Sequence, residues 1–109
     1  MPYNKFMEFI EATAFTKHVY DYLSEDEYLG LQSFLLQYPE VGKIVRGSGG
    51  VRKVRVAAPG RGKRGGYRLI YYVRRPRNVI WMLTIYPKSE ADSIPAHVLR
   101  KIREEIDDE

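Results

Sequence analysis

The side chains best suited to chemistry in this sequence are cations and a tyrosine. Lys53 and Arg55 alternate in VRKVRV, Arg68 follows in GYRLIYY, and Tyr86 and Lys88 close the run WMLTIYPK. Neighbouring antiparallel strands lie about 4.8 Å apart, so groups on three adjacent strands can surround one phosphate. The chemistry open to such a set is transfer at phosphorus in RNA. A ribose 2′-OH attacks the adjacent phosphorus and displaces the 5′-oxygen. Cations stabilise the charged phosphorane, a base takes the 2′ proton, and an acid protonates the leaving oxygen. Histidine or glutamate is the usual base, and neither is evident near these residues. A lysine or a tyrosine must then serve, its pKa lowered by the surrounding cations. None of these steps requires a metal.

The charge distribution supports a polyanionic partner. Between Glu40 and Glu90 the chain carries thirteen Lys and Arg and no acid; all fourteen acids lie in the flanks. A solvated surface normally mixes signs, whereas a field of one sign attracts polyanions and speeds their encounter. Arg52, Arg61, Lys63 and Arg64 belong to this interval and are expected to bind RNA backbone around the central set. The loop PGRGKRGG holds four of the nine glycines, which lets backbone amides approach a phosphate. It does not match the phosphate-loop pattern G-x-x-x-x-G-K-[ST]. Tyr67, Tyr71, Tyr72, Trp81 and Tyr86 interleave with the charges, as in proteins that stack the bases of single strands. Trp81 and Tyr71 are expected in the core, and Tyr86, at a strand end beside Pro87 and Lys88, at the working surface.

Other classes are excluded or disfavoured. There is no cysteine, hence no disulfide, thiolate metal site or cysteine nucleophile. His18 and His97 are too few for a histidine-rich metal site and are expected at the surface or half-buried. No cofactor is expected. No run approaches the roughly 18 apolar residues of a membrane span. The opening MPYNKFMEFIEATAF carries Glu8 and Glu11, unlike a secretory signal, so a cytoplasmic location without a membrane partner is expected.

The elements that must position these residues follow from periodicity. The length suits one domain, residues 1–109. MEFIEATAF suggests a short first strand and FTKHVYDYL a short helix or turn. Ser24 and Glu27 form a capping box, with Tyr28, Leu31, Leu35 and Leu36 at helical spacing until Pro39. This predicts a helix over 25–38. VGKIVRGSGG is a turn-rich bridge. VRKVRVAA is a strand with Val54, Val56 and Ala58 on one face and Lys53 and Arg55 on the other. YRLIYYV and NVIWMLTIY are strands joined by the turn RRPR, the last nearly all apolar and therefore central. SIPAHVLRKIREEIDDE is a helix capped by Ser93, with Pro95 in its first turn and Ile94, Val98, Leu99, Ile102 and Ile106 as its apolar stripe. The order predicts an α+β fold: a small antiparallel or mixed sheet with two N-terminal helices and a C-terminal helix packed on it.

The run GSGGVRKVRVAAPGRGKRGGYRLIYYV followed by WMLTIYPKSE resembles the HigB-type branch of the RelE/ParE toxin superfamily, over roughly residues 8–106. The shared pattern is a strand with R-K-[IV]-R, a Gly/Lys/Arg loop, then G-x-R-[IL]-I-Y-Y and L-T-I-Y-x-K. The resemblance implies a RelE-like domain and a ribosome-dependent mRNA endonuclease that cuts codons in the ribosomal A site, contacting ribosomal RNA. It also implies a paired antitoxin, usually a helix-turn-helix repressor. Its catalytic set, carried onto this sequence, is Lys53, Arg55, Arg68, Tyr86 and Lys88. RelE-branch relatives often have arginine where Lys88 stands, and many members have glycine where Pro87 stands. The same fold serves gyrase poisons of the ParE type, which are expected to lack the cationic set kept here. A non-catalytic RNA-binding module would keep the basic patch but need neither Tyr86 nor Lys88.

Overall fold

The computed structural model describes residues 7–57, 66–75, 77–88 and 94–107. Its elements in chain order are β1 (Glu8–Glu11), α1 (Thr13–Tyr22), α2 (Glu25–Gln37), β2 (Lys43–Ile44), β3 (Arg52–Val56), β4 (Tyr67–Arg74), β5 (Val79–Pro87) and α3 (Ala96–Asp107). They build one five-stranded sheet in the order β1-β5-β4-β3-β2. β1 runs parallel to β5, and the other pairs are antiparallel. The sheet is therefore mixed, and the α+β class holds.

The predicted capping box starts α2. The Ser24 hydroxyl accepts from the Glu27 amide at 3.1 Å, and the Ser24 amide donates to the Glu27 carboxylate at 2.8 Å. Glu25, Asp26 and Glu27 fill the first turn, where the helix dipole favours negative charge. α1 begins at Thr13, inside the segment the sequence suggested as strand, and buries Phe15 and Val19. The Phe15 ring lies 5.5 Å from that of Tyr28 and ties the two helices together. Glu11, at the end of β1, accepts from the Tyr28 and Thr16 hydroxyls at 2.6 and 2.7 Å.

Two apolar clusters sandwich the sheet. On one face α1 and α2 pack Phe15, Val19, Tyr28, Leu31 and Leu35 against Leu69, Tyr71, Ile80, Met82 and Ile85. On the other, α3 packs Leu99 and Ile106 against Val51, Ile70 and Leu83, with Tyr72 and Trp81 at the margin. β5 is covered on both sides, as its apolar run implied. Val98 departs from the expected stripe and is 37% exposed; Leu99, Ile102 and Ile106 make a narrower seam that leaves it at the edge. Two arginines hold α3 down. Arg74 donates to the Ile106 carbonyl at 3.3 Å, supplying a cation where the dipole favours one. Arg103 lies 5.4 Å over the Tyr72 ring. Ser93 and Ala58 lie outside the described residues.

The turn-rich bridge forms the two-residue β2 and then a tight loop. In that loop the fully buried Ser48 donates to the Val45 carbonyl and accepts from the Val51 amide. The β4–β5 turn places Asn78 at φ 59°, a conformation asparagine tolerates better than most side chains.

Candidate active site

Alternation along β3 sends Val54 and Val56 to the α1/α2 face, so Lys53 and Arg55 face the side of α3. Pairing then carries a row across the sheet. Arg55 lies opposite Arg68, and Arg68 lies opposite Tyr86. The next row on the same face is Lys53, Ile70 and Thr84. Ile70 belongs to the apolar patch under α3. The Arg55–Arg68–Tyr86 row therefore sits at the margin of the α3 cover, and Arg55 is exposed.

A β-bulge brings Tyr86 to this face. Ile80 and Met82 point to the α1/α2 core and Trp81 to the α3 cluster; strict alternation would send Tyr86 into the α1/α2 core as well. Tyr71 pairs with Met82 and Ile70 with Thr84, which leaves Leu83 as an extra residue. The added residue reverses the phase of the strand. Ile85 then fills the α1/α2 core while Tyr86 turns towards Arg68.

The row holds unused hydrogen-bonding capacity. Arg68 Nη1 and Tyr86 Oη are buried and have no hydrogen-bond partner among the described residues. A buried polar group left in this state costs about 1–3 kcal/mol, and a catalytic role, an ordered water, an ion or strain can account for it. Burial pushes the Tyr86 phenol above its ordinary pKa, and the neighbouring Arg68 guanidinium pulls it back in part. Neither Lys53 nor Arg68 forms an ion pair with a described residue.

Gly66 fixes the ends of these strands. Its φ is +67°, and a Cβ added there would lie 2.3 Å from the Val56 carbonyl oxygen. Its own carbonyl accepts from the Lys88 amide at 3.2 Å. The end of β3, the start of β4 and the residue just after β5 thus meet at one glycine. Lys88 is exposed beside the row.

The other sequence candidates fall elsewhere. Arg52 has the parity of Val54 and lies opposite the buried Tyr71. Its guanidinium donates to the Glu40 and Gly42 carbonyls at 3.0 and 2.7 Å. Tyr71, fully buried as expected, accepts from the Gly42 amide at 2.8 Å and donates to the Pro39 carbonyl at 2.9 Å. Together they clamp residues 39–42. Trp81 packs at the α3 margin, again core rather than site. His18 lies 3.3 Å from Asp21 on α1, and His97 is exposed on α3. Arg61, Lys63 and Arg64 lie outside the described residues. Thr84 was not singled out from sequence, where its signal was a hydroxyl in an otherwise apolar stretch of strand. Gly66 opens the G-x-R-[IL] pattern, but its place at the junction of three strand ends was not read.

A protein-family model described as the RelE toxin of the RelE/RelB toxin–antitoxin system matches residues 40–106. The chain belongs to the RelE toxin family. The matched segment contains every element of the row and the helix that covers its neighbour. Solved structures share the RelE fold. A double arginine-to-alanine mutant of Escherichia coli toxin RelE in the free state is 20% identical, with a TM-score of 0.58 over 94% of this chain and 98% of that one. The intact E. coli RelBE toxin–antitoxin complex gives 17% identity and 0.55 over 74% and 95%. The archaeal RelE–RelB complex from Pyrococcus horikoshii gives 22% and 0.53 over 84% and 100%.

Proposed function

We propose that this RelE-family protein is a HigB-type toxin that cleaves mRNA in the ribosomal A site and so stops translation in the cytoplasm. The observation that carries this reading is the Arg55–Arg68–Tyr86 row, where two buried polar atoms await a partner. A scissile phosphate seated on the row accepts hydrogen bonds from Arg68, which stays protonated throughout. The guanidinium stabilises the charge that develops as the 2′-oxygen attacks phosphorus and the bond to the 5′-oxygen breaks. Tyr86 keeps its proton, because burial holds its pKa high, and delivers it to the departing 5′-oxygen. The role of base towards the 2′ proton falls to Lys53, in the next row of the same face. Arg55 and Lys88 complete the positive rim that holds the flanking phosphates and ribosomal RNA; Arg61, Lys63 and Arg64 add cations to the same partner on the strength of sequence alone.

Two of the solved relatives, one from E. coli and one from P. horikoshii, are complexes of RelE with RelB. By analogy this chain is held inactive by a cognate antitoxin, here of the helix-turn-helix repressor kind. The test is expression in a translating extract with mRNA 5′ ends mapped against the reading frame. Cuts at a fixed position within codons support the reading, and intact mRNA under arrested DNA supercoiling would point to a gyrase poison instead.

A further inference from the structure

The bulge at Leu83 does more than bring Tyr86 to the row. It also places Thr84 opposite Ile70, on the α3 face. Two residues along a strand separate Thr84 from Tyr86, roughly 6.8 Å, and Arg68 is its diagonal neighbour on β4, about 7–8 Å away. Thr84 is half-buried, and its hydroxyl makes no hydrogen bond to any described residue. From Val79 to Ile85 it is the one residue with a polar side chain apart from Trp81. Valine has the same shape and the same preference for strands, so packing alone does not call for the hydroxyl.

We infer that Thr84 is a further RNA-binding residue, whose hydroxyl hydrogen-bonds the ribose-phosphate backbone one nucleotide from the scissile phosphate. This rests on the cleavage reading above. The spacing from Thr84 to the Arg68–Tyr86 pair corresponds to about one nucleotide step, and a hydroxyl can both donate to a phosphate oxygen and accept from a 2′-OH. Contacts to sugar and phosphate fix the register of a nucleic acid without reading its sequence. Thr84 therefore sets where the RNA sits on the row, not which codon is cut.

The test compares parent, Thr84→Val, Thr84→Ser and Arg68→Ala in single-turnover cleavage of ribosomes programmed with several A-site codons. For Thr84→Val, the concentration for half-maximal cleavage should rise about 3- to 10-fold while the maximal rate stays within about twofold. The factor should be the same on every codon, and Thr84→Ser should restore parental behaviour. Thr84→Val equal to parent, with Arg68→Ala dead, overturns the inference and leaves the cleavage reading standing. Thr84→Ser as impaired as Thr84→Val reduces Thr84 to a matter of shape and overturns it too. A parent that cleaves nothing overturns both.

Discussion

Arg68 and Tyr86 lie directly opposite each other on β4 and β5, and each buries a polar atom that no hydrogen bond from a described residue satisfies. The pair costs stability, and the proposed scissile phosphate would satisfy both atoms. Tyr86→Phe separates the two. Losing the proton donor should lower the cleavage rate roughly 100-fold or more, while removing an unsatisfied buried hydroxyl should raise stability by up to about 1 kcal/mol. Single-turnover cleavage and urea denaturation measure the two effects. A phenylalanine variant that cuts at the parental rate removes Tyr86 from the mechanism.

Gly66 makes a prediction about assembly of the site. Alanine at φ +67° pays the left-handed penalty of about 1–2 kcal/mol, and its Cβ would meet the Val56 carbonyl at 2.3 Å. Backbone must move where three strand ends converge. Gly66→Ala should lower the urea midpoint and impair cleavage together. An unchanged midpoint would show that this junction is slack.

Much of this site was legible in the sequence. The capping box fixed α2, and the parity of Val54 and Val56 assigned Lys53 and Arg55 to the opposite face. The same parity rule also separates Arg52 from them, a consequence overlooked when all three are counted as one basic patch. The bulge was hidden, because in an almost continuously apolar strand such as β5 no period marks the place where the phase reverses. Pairing of β1 with β5 was equally invisible: it joins residues far apart in the chain, and four residues carry too little pattern to declare a partner.

Buried tyrosines dictate how stability depends on alkaline pH. Burial raises the Tyr71 phenol above its ordinary value of 10.0, outweighing its bond from Gly42 and the nearby Arg52. The unfolded chain ionises near pH 10 while the folded chain still holds the proton. The stabilisation is therefore complete below about pH 10 and is lost as pH rises towards the folded pKa. Tyr28 and Tyr86 are raised as well and act in the same direction. Tyr71→Phe should be less stable at neutral pH, because two hydrogen bonds are lost, yet lose less stability between pH 9 and 11, roughly the span of tyrosine ionisation. Parallel stability curves for parent and variant would contradict this account of Tyr71.

The basic interval predicts strong salt dependence. If four phosphates are contacted, affinity for single-stranded RNA should fall about 50-fold between roughly 50 and 200 mM salt, through counterion release. Filter binding or fluorescence anisotropy across that range gives the slope. A flat line would mean that the cations do not meet phosphates.

The central claim is that Arg68 holds the scissile phosphate, and a matched pair of variants tests it most directly. Arg75 lies in the β4–β5 turn, where it donates to Asn78 at 3.0 Å and sits 3.6 Å from Glu40 at the surface. Frame-specific mRNA cleavage on ribosomes would be measured for parent, Arg68→Ala and Arg75→Ala, with circular dichroism confirming the fold of each. Arg68→Ala should lose about 100- to 1000-fold in rate, and Arg75→Ala should cut like the parent. A folded Arg68→Ala that cleaves as fast as the parent, or a dead Arg75→Ala, would contradict the assignment of the active face.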